Sequence, residues 1–341
     1  MKSVTKSSLD DNTIQALVKK NFEAVKSVSE IRELGGGMFN AAYHVRVNYE
    51  DGRSEAYILK AAGAAGTKTL TYEIEIMQAE VYVYGLLART DIPAPRVLAS
   101  DFSRTLVDCD YFFMTKLNGR PWNELNRKLS NADKERLKCD LARYVAEMHK
   151  ITGDYFGYMK DGERFHFASW REAYCGMLQD IMADAKRDHI RFPYKKVWAA
   201  VEPHLQLLDE VKTPALVNYD FWAGNIFLTD ESGQYEIEGL IDHERGFWGD
   251  PYAEFASSAG VYRHIKEEAG MQAAYAAQSG KPFVFTRSEE IRIELYHVYG
   301  SLLFGAEVYR YPKIFAFFQL QLSKFYLRRN LRTLKRLARM K

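Results

Sequence analysis

The chain has 341 residues, a length that exceeds one small hydrophobic core and suits two domains. Apolar residues make up 47% and charged residues 27%, which are ordinary values for a soluble protein with a sizeable core. Because 47 Lys and Arg nearly balance 45 Asp and Glu, the net charge of +2 gives no whole-protein reason to expect a nucleic-acid or membrane partner.

The N-terminal residues and the cysteines are typical of an intracellular protein. The stretch MKSVTKSSLDD lacks the apolar segment of a signal peptide, and no run approaches the roughly 20 apolar residues of a membrane span. Cys109, Cys139 and Cys175 match neither a zinc site nor a redox pair, and their odd number argues against a disulfide framework. We therefore expect a cytoplasmic protein with reduced thiols, either a monomer or a homodimer.

The first part of the chain is predicted to be a small, mainly antiparallel sheet with one inserted helix. Apolar residues at helical spacing predict helices at 9–28 and 71–89. Alternating or apolar runs predict strands at 43–47, 56–60, 96–100 and 111–117. Asp51-Gly52 between the first two strands is a strong hairpin signal. Pro93 and Pro95 end the second helix, since proline cannot continue one.

The character of the chain changes near residues 118–121. Ser130 with Asp133 resembles a capping box, and apolar residues then repeat at helical spacing as far as Ile151. Further helices are predicted at about 168–188, 194–212, 252–278 and 288–337. The sequence thus predicts an α+β protein with a β-rich N-terminal lobe, residues 1–117, and a larger, mostly helical C-terminal lobe, residues 118–341.

The stretch from Leu216 to Pro251 carries the strongest chemical pattern. It reads LVNYDFWAGNIFL, then a polar turn, then EGLIDHERGFWGDP. A phosphoryl-transfer site needs one carboxylate to meet the attacking hydroxyl, and an amide oxygen and a second carboxylate to hold Mg²⁺. Asp220, Asn225 and Asp242 supply these groups, and a hairpin through residues 230–233 would bring Asp242 beside Asn225.

The first lobe offers candidate nucleotide contacts. Gly35-Gly36-Gly37 lies between strands, where glycines let backbone N–H groups approach a triphosphate, although a plain flexible turn has the same composition. Lys60 ends the second hairpin strand and can reach the phosphates, or it is a solvent-facing strand-end lysine. A buried lysine needs a partner. We favour Glu80 on the following helix over Glu73 and Glu75.

The last twenty residues are basic and contain no acidic residue. Leucines form a stripe at helical spacing within them, at Leu327, Leu331, Leu334 and Leu337. These features predict a terminal helix that packs on the second lobe and exposes a solvated basic face. Binding of an acidic partner or an anionic surface is the alternative interpretation.

These parts, in this order, resemble the aminoglycoside phosphotransferase family, a branch of the protein-kinase-like fold that phosphorylates small molecules. The resemblance covers roughly residues 25–310. GGGMFNAAYHV is similar to the glycine loop of the family, IPAPRVL to the segment after its first-lobe helix, and FFMTKLNGRPW to its hinge. DFWAGNIFL and LIDHERGFWGDPYAEFA are similar to its catalytic and metal motifs, and these two are the specific ones.

The resemblance implies a two-lobe kinase-like fold that uses ATP or GTP with Mg²⁺. It makes Asp220 the catalytic base, and it makes Asn225 and Asp242 the Mg²⁺ ligands. It also implies that Lys60 contacts the nucleotide phosphates and pairs with Glu80.

The resemblance extends to the adenine site. It implies that the Thr115 carbonyl and the Leu117 amide contact the adenine, where Met114 can line the pocket. Two positions depart from the family pattern: Asn218 stands where the family usually has a histidine, and Glu254 stands where it usually has an aspartate.

The implied reaction is transfer of a γ-phosphoryl group to a hydroxyl of a small molecule, with no nucleic-acid or membrane partner. Aminoglycosides and other antibiotics, sugars, ketoamines, choline-like amino alcohols and amino-acid hydroxyls are the candidate acceptors. Asn218 motivates a second hypothesis, a kinase-fold protein that binds a ligand without turnover. Protein kinase activity is a third, which the lack of an Asp-Phe-Gly or Ala-Pro-Glu segment disfavours.

Overall fold

The computed structural model describes residues 8–35, 40–256, 261–262 and 265–339. The chain divides into two compact units. The first comprises residues 1–69, 95–118 and 310–313, and the second comprises residues 70–94, 119–309 and 314–341.

The first unit is built on a five-stranded antiparallel sheet with the strand order β1-β2-β3-β5-β4. Its elements are α1 (Asp11–Asn21), β1 (Val25–Leu34), β2 (Ala41–Tyr49), β3 (Ser54–Ala61), β4 (Val97–Asp101) and β5 (Tyr111–Thr115). The predicted hairpin between β2 and β3 is confirmed, and Gly52 in its turn adopts a φ of 87°, which favours glycine. Ile14, Leu17 and Val18 of α1 belong to the buried core of this unit.

The helix predicted at 9–28 is wrong beyond residue 21. Phe22 is extended, and its ring stacks on Tyr57 with centroids 4.8 Å apart. Ala24 has a φ of 52°, after which residues 25–34 pair with β2 as a strand. The register of this strand shifts twice, so its half-buried residues do not alternate regularly and a period of two is absent from the sequence.

The second unit is largely helical and contains two small sheets, with the strand orders β10-β9-β6 and β7-β11-β8. Its helices are α2 (Ile76–Leu87), α3 (Trp122–Leu125), α4 (Asn131–Met148), α5 (Trp170–Arg187), α6 (Tyr194–Val201), α7 (Ala269–Ser279), α8 (Arg287–Ala306) and α9 (Lys313–Arg339). Its strands are β6 (Arg120–Pro121), β7 (Gly157–Tyr158), β8 (Ala215–Val217), β9 (Ile226–Thr229), β10 (Glu236–Leu240) and β11 (Phe247–Gly249). The capping box at Ser130 and Asp133 is confirmed.

Three long predicted helices are shorter or broken. Residues 202–210 continue α6 as a 3₁₀ helix with Pro203 near its start. Residues 251–256 are also 3₁₀, and α7 begins only at Ala269. The predicted helix at 288–337 is divided into α8 and α9 by a short 3₁₀ turn and Pro312, because proline cannot continue a helix.

Residues 70–94 belong to the second unit by their contacts, although the lobe predicted from the sequence runs to residue 117. The Thr71 amide donates to Asp184 of α5 over 2.5 Å, and the Tyr72 hydroxyl donates to Glu307 over 2.5 Å. The Lys160 ammonium donates to the Thr71 carbonyl over 3.0 Å. These bonds hold the segment that leads into α2 against the rest of the second unit.

The three cysteines are not disulfide-bonded, and Cys109 is buried. Among the described residues, none of the helices combines the length and apolarity needed to cross a bilayer.

Strand pairing in the second unit places two loops side by side. Loop 218–225 runs from the end of β8 to the start of β9, and loop 241–246 runs from the end of β10 to the start of β11. Because β9 pairs with β10 and β8 pairs with β11, both ends of the two loops are held together. The functional residues predicted in each loop therefore face a common region.

Candidate active site

Loop 218–225 is closed on itself by hydrogen bonds to the backbone of Asp220. The Trp222 amide donates to the Asp220 carbonyl over 3.0 Å, and the Asn225 Nδ2 donates to the same carbonyl over 3.0 Å. The Ile241 amide donates to the Asn225 carbonyl over 3.0 Å, which fastens this loop to loop 241–246. The hairpin predicted to bring Asp242 beside Asn225 is thus present.

Glu254 stabilises the backbone that leads into Asp220. Its carboxylate is fully buried and accepts the Asn218 amide over 2.7 Å on Oε2 and the Tyr219 amide over 3.1 Å on Oε1. Tyr219 has a φ of 66°, a conformation that costs energy for a residue with a side chain. The two hydrogen bonds offset this cost and fix the course of the backbone directly before Asp220.

Asn218 connects the two loops through its side chain. Its Oδ1 accepts the Asp220 amide over 2.9 Å, and its Nδ2 donates to Nδ1 of His243 over 2.6 Å. Since an amide nitrogen only donates, His243 Nδ1 must be the acceptor and the ring proton lies on Nε2. That Nε2 donates to the Leu240 carbonyl over 3.2 Å. Asn218, which departs from the family pattern, therefore makes two directed hydrogen bonds through its side chain.

The environment of Asp220 raises its affinity for a proton. Burial raises the pKa of this carboxyl to about 7, and Asp242, Glu307 and Glu244 add to the effect, whereas Arg245 opposes it. Arg245 Nε lies 3.6 Å from Asp220 Oδ2. A carboxyl with a pKa near neutrality is suited to accept a proton from a hydroxyl.

Arg245 also connects Asp220 to a buried acid. Its Nη2 donates to Glu307 Oε1 over 2.7 Å, and the Tyr72 hydroxyl donates to the same oxygen. Glu307 lies in the turn between α8 and α9, far from Asp220 along the chain. The motifs of the sequence do not point to Arg245 or Glu307. A signal for Arg245 was available, because it follows Asp242 by three positions within the motif LIDHERGFWGDP.

Three carboxylates of the second unit form a cluster. One oxygen each of Glu80, Asp242 and Glu244 lies within 4.8 Å of the others, and Glu80 is fully buried. Asp242 adopts a φ of 66°, and its amide donates to the Tyr84 hydroxyl of α2 over 3.3 Å. Hard oxygen donors of this kind fit Mg²⁺. The sequence motifs indicated Asp242 as a ligand but not Glu244.

Asn225 is the other predicted metal ligand. Because its Nδ2 is used in the bond to the Asp220 carbonyl, its Oδ1 is the side-chain atom that can bind a cation. Glu80 was predicted as the partner of Lys60. The two residues belong to different units of the structure, and their pairing stays a prediction.

The first unit contains the predicted phosphate contacts. Cross-strand pairing aligns Leu34, Ala42, Lys60 and Phe112 in one row of the sheet. Gly35 directly follows Leu34, so it lies one residue beyond the row that contains Lys60. Gly36 and Gly37 lie outside the described residues.

The predicted adenine contacts lie at the end of β5. Met114 is buried and pairs with Ile58, and the Thr115 amide donates to the Arg96 carbonyl over 2.9 Å. The Thr115 Oγ1 accepts the Arg96 amide over 2.9 Å. Leu117 lies two residues beyond the strand, and its carbonyl accepts Lys116 Nζ over 2.8 Å. The role of these three residues in nucleotide binding stays a prediction.

The family of the chain follows from a match that spans both loops. Residues 30–291 match the model of the phosphotransferase enzyme family, APH. The chain belongs to this family. The matched residues of the APH chain include Asp220, Asn225, Asp242 and Glu254, and the resemblance drawn from its motifs is confirmed.

Solved structures share the fold of this APH-family protein. A thermostable mutant of aminoglycoside phosphotransferase APH(4)-Ia, in complex with AMP-PNP and hygromycin B, is 17% identical with a TM-score of 0.63, and the match covers 96% of this chain and 100% of that one. APH(2″)-IIa in complex with streptomycin and ATP is 18% identical with a TM-score of 0.59, over 93% and 96% of the two chains. A Ralstonia eutropha JMP134 protein, described provisionally as an aminoglycoside phosphotransferase, is 14% identical with a TM-score of 0.63, over 96% and 99%.

At these identities the likeness shows the fold. The predicted α+β, kinase-like fold is confirmed, with an antiparallel sheet near the N-terminus and a largely helical C-terminal part. Among curated proteins, none matches the chain.

Proposed function

We propose that this protein transfers the γ-phosphoryl group of ATP or GTP to a hydroxyl of a small molecule. One observation carries the proposal. Asp220, with a pKa raised to about 7, lies on a loop that hydrogen bonds fasten to the loop of Asp242. Membership in the phosphotransferase enzyme family gives the reaction class.

Asp220 is the catalytic base of the proposed mechanism. Its carboxylate accepts a hydrogen bond from the acceptor hydroxyl and takes the proton as the oxygen attacks the γ-phosphorus. A new oxygen–phosphorus bond forms, the bond from the γ-phosphorus to the bridging oxygen breaks, and the nucleoside diphosphate leaves. Catalysis by such a site is mostly positioning, so the bonds from Glu254 and Asn218 to the loop backbone contribute directly.

The carboxylates near Asp220 suit a divalent cation. Asp242, Glu80 and Glu244 supply hard oxygen donors within 4.8 Å of one another, and the Asn225 Oδ1 is a further candidate ligand. Mg²⁺ held there would neutralise the phosphate charge of the nucleotide.

The nucleotide contacts of the proposal come from the first unit. Gly35, Gly36 and Gly37 would approach the phosphates through backbone N–H groups, with Lys60 as a point charge. Met114, Thr115 and Leu117 would contact the base. The proposal draws support from the related structures, since those of APH(4)-Ia and APH(2″)-IIa hold AMP-PNP and ATP and another family structure holds GDP.

The acceptor is proposed as a small hydroxyl compound. Hygromycin B and streptomycin are present in the structures of the two relatives, which makes an aminoglycoside or other antibiotic the first class to test. With such an acceptor, the protein would confer antibiotic resistance. Ketoamines, choline-like amino alcohols, sugars and amino-acid hydroxyls form the second class.

The test is Mg²⁺-dependent release of ADP by the purified protein across a panel from both classes. We expect one acceptor to stimulate release and the Asp220→Asn variant to lose it by several orders of magnitude while it still binds nucleotide. Tight binding of Mg·ATP without release for any acceptor would favour the ligand-binding alternative that Asn218 motivates. Absence of nucleotide binding would contradict the proposal.

A further inference from the structure

The outer face of α9 carries an apolar and basic strip. Its first half exposes large hydrophobic side chains, with Ile314 at 77%, Phe317 at 58%, Phe318 at 66% and Phe325 at 60% exposure. Its second half exposes only bases and small or polar residues on the same side. At 3.6 residues per turn, exposed residues from both halves of the helix fall within one strip about 60° wide. This strip includes Ile314, Phe318, Phe325, Arg332, Arg336 and Arg339.

The inner face of α9 shows that the first half is turned with its apolar side outward. Gln319 and Ser323 are buried there, and they donate to the Phe304 and Ser301 carbonyls of α8 over 2.8 and 2.7 Å. In the second half the usual order returns, with buried leucines inside and arginines outside. Single exposed apolar side chains are common on protein surfaces, but a helix half that buries polar residues and exposes several phenylalanines together indicates an interaction surface.

The charge of α9 identifies the kind of partner. The helix contains eight Lys and Arg residues and no acidic residue, whereas the rest of the chain has 39 Lys and Arg against 45 Asp and Glu. The near-zero net charge of the whole protein, on which the expectation of no membrane partner rested, therefore hides a strongly basic helix about 40 Å long. An anionic surface complements it.

We infer that the outer face of α9 binds an anionic lipid surface, with its phenylalanines in the interfacial layer and its arginines against the headgroups. A bilayer surface offers apolar and anionic groups along the full length of the strip. A second copy of the chain explains less. Symmetric pairing through the phenylalanines would bury the apolar half but leave the six exposed bases from Arg328 to Arg339 without a role.

The test is co-sedimentation of the full-length protein with vesicles. We expect binding to vesicles of equal parts phosphatidylglycerol and phosphatidylcholine, weakened by salt, and little binding to pure phosphatidylcholine. The pairs Phe317→Ser with Phe318→Ser, and Arg332→Glu with Arg336→Glu, should each lower the partition coefficient about tenfold or more. Circular dichroism should show these variants folded, since all four side chains are exposed.

Matched controls keep the test specific. Leu106→Ser removes an exposed leucine elsewhere, and Lys195→Glu with Lys196→Glu reverses two exposed bases on α6; neither should change vesicle binding. Equal binding to neutral vesicles, or no binding to either kind, would overturn the inference. A third result would also overturn it: the protein does not bind vesicles but forms a concentration-dependent dimer that the phenylalanine variants abolish. The strip would then bind a second copy of the chain.

Discussion

The Asn218 Nδ2 lies 2.6 Å from the His243 Nδ1, and this bond joins the loop of Asp220 to the loop of Asp242. Each of the two residues is close in sequence to a predicted functional acid: Asn218 precedes Asp220 by two positions, and His243 follows Asp242 directly. The bond therefore couples the position of the proposed base to that of the proposed metal ligand.

Asn218→Ala should lower kcat by about ten- to a hundredfold with little change in nucleotide KM, because small displacements of a catalytic group are costly. It should also cost about 1–3 kcal/mol of unfolding free energy, since His243 Nδ1 and the Asp220 amide lose partners. Steady-state kinetics and urea unfolding measure the two effects. Asn21→Ala is the matched control: it removes bonds to Tyr111 and Leu17 away from the site, so kcat should not change.

The pH dependence of the reaction should follow Asp220. Because the deprotonated carboxylate is the active form and its pKa is raised to about 7, kcat/KM should rise as the pH increases through about 7. Arg245 lowers that pKa, so Arg245→Gln should shift the midpoint of the rise to higher pH, and Arg245→Lys should shift it less. A midpoint that does not move in Arg245→Gln would contradict the assignment of this titration to Asp220.

Replacing Glu254 should destabilise the fold. In Glu254→Gln one acceptor oxygen becomes an NH₂ group, which leaves either the Asn218 or the Tyr219 amide without its present acceptor in a buried place. We expect a loss of about 1–3 kcal/mol in unfolding free energy by urea titration. The exposed Glu163→Gln should stay within about 0.5 kcal/mol of the parent protein, and an equal effect of the two changes would contradict the role of Glu254.

Lys160 should make stability depend on pH. Burial lowers its pKa from 10.5 to about 7, against the opposing effect of Glu75, Glu73 and Asp180. Between pH 7 and 10.5 the unfolded chain therefore binds more protons at this group than the folded protein does, so stability from this group should rise with pH, by up to about 1.4 kcal/mol per pH unit.

The Lys160→Met variant isolates this effect. Subtracting its unfolding free energy from that of the parent protein at each pH should remove the contribution of other groups. The difference should grow in favour of the parent protein as the pH rises above 7. A difference that is constant from pH 7 to 10 would show that Lys160 keeps its charge in the fold.

Much of the fold could be predicted where local signals agree with tertiary packing. Asp51-Gly52 specified a hairpin, and Ser130 with Asp133 specified the start of α4. Residues 25–34 could not be recognised as a strand, because two register shifts remove the alternation that marks one. Pro203 is a sequence signal for the end of α6 after Val201. The spacing of the residues does not reveal that the chain continues from there as a 3₁₀ helix.

The candidate site divides in the same way. Asp220, Asn225 and Asp242 lie within one short stretch in which spacing constrains their geometry, and the structure brings them together. Glu307 lies directly after the end of α8 and accepts a hydrogen bond from Arg245, whose Nε lies 3.6 Å from Asp220 Oδ2. No pattern in the sequence records such a contact, because it arises from the packing of helices distant along the chain.

Glu254 holds the loop through two main-chain amides, one on each carboxylate oxygen. A clamp of this kind does not depend on which side chains the held residues carry. A change of side chain at position 218 therefore leaves these two bonds to the backbone before Asp220 in place.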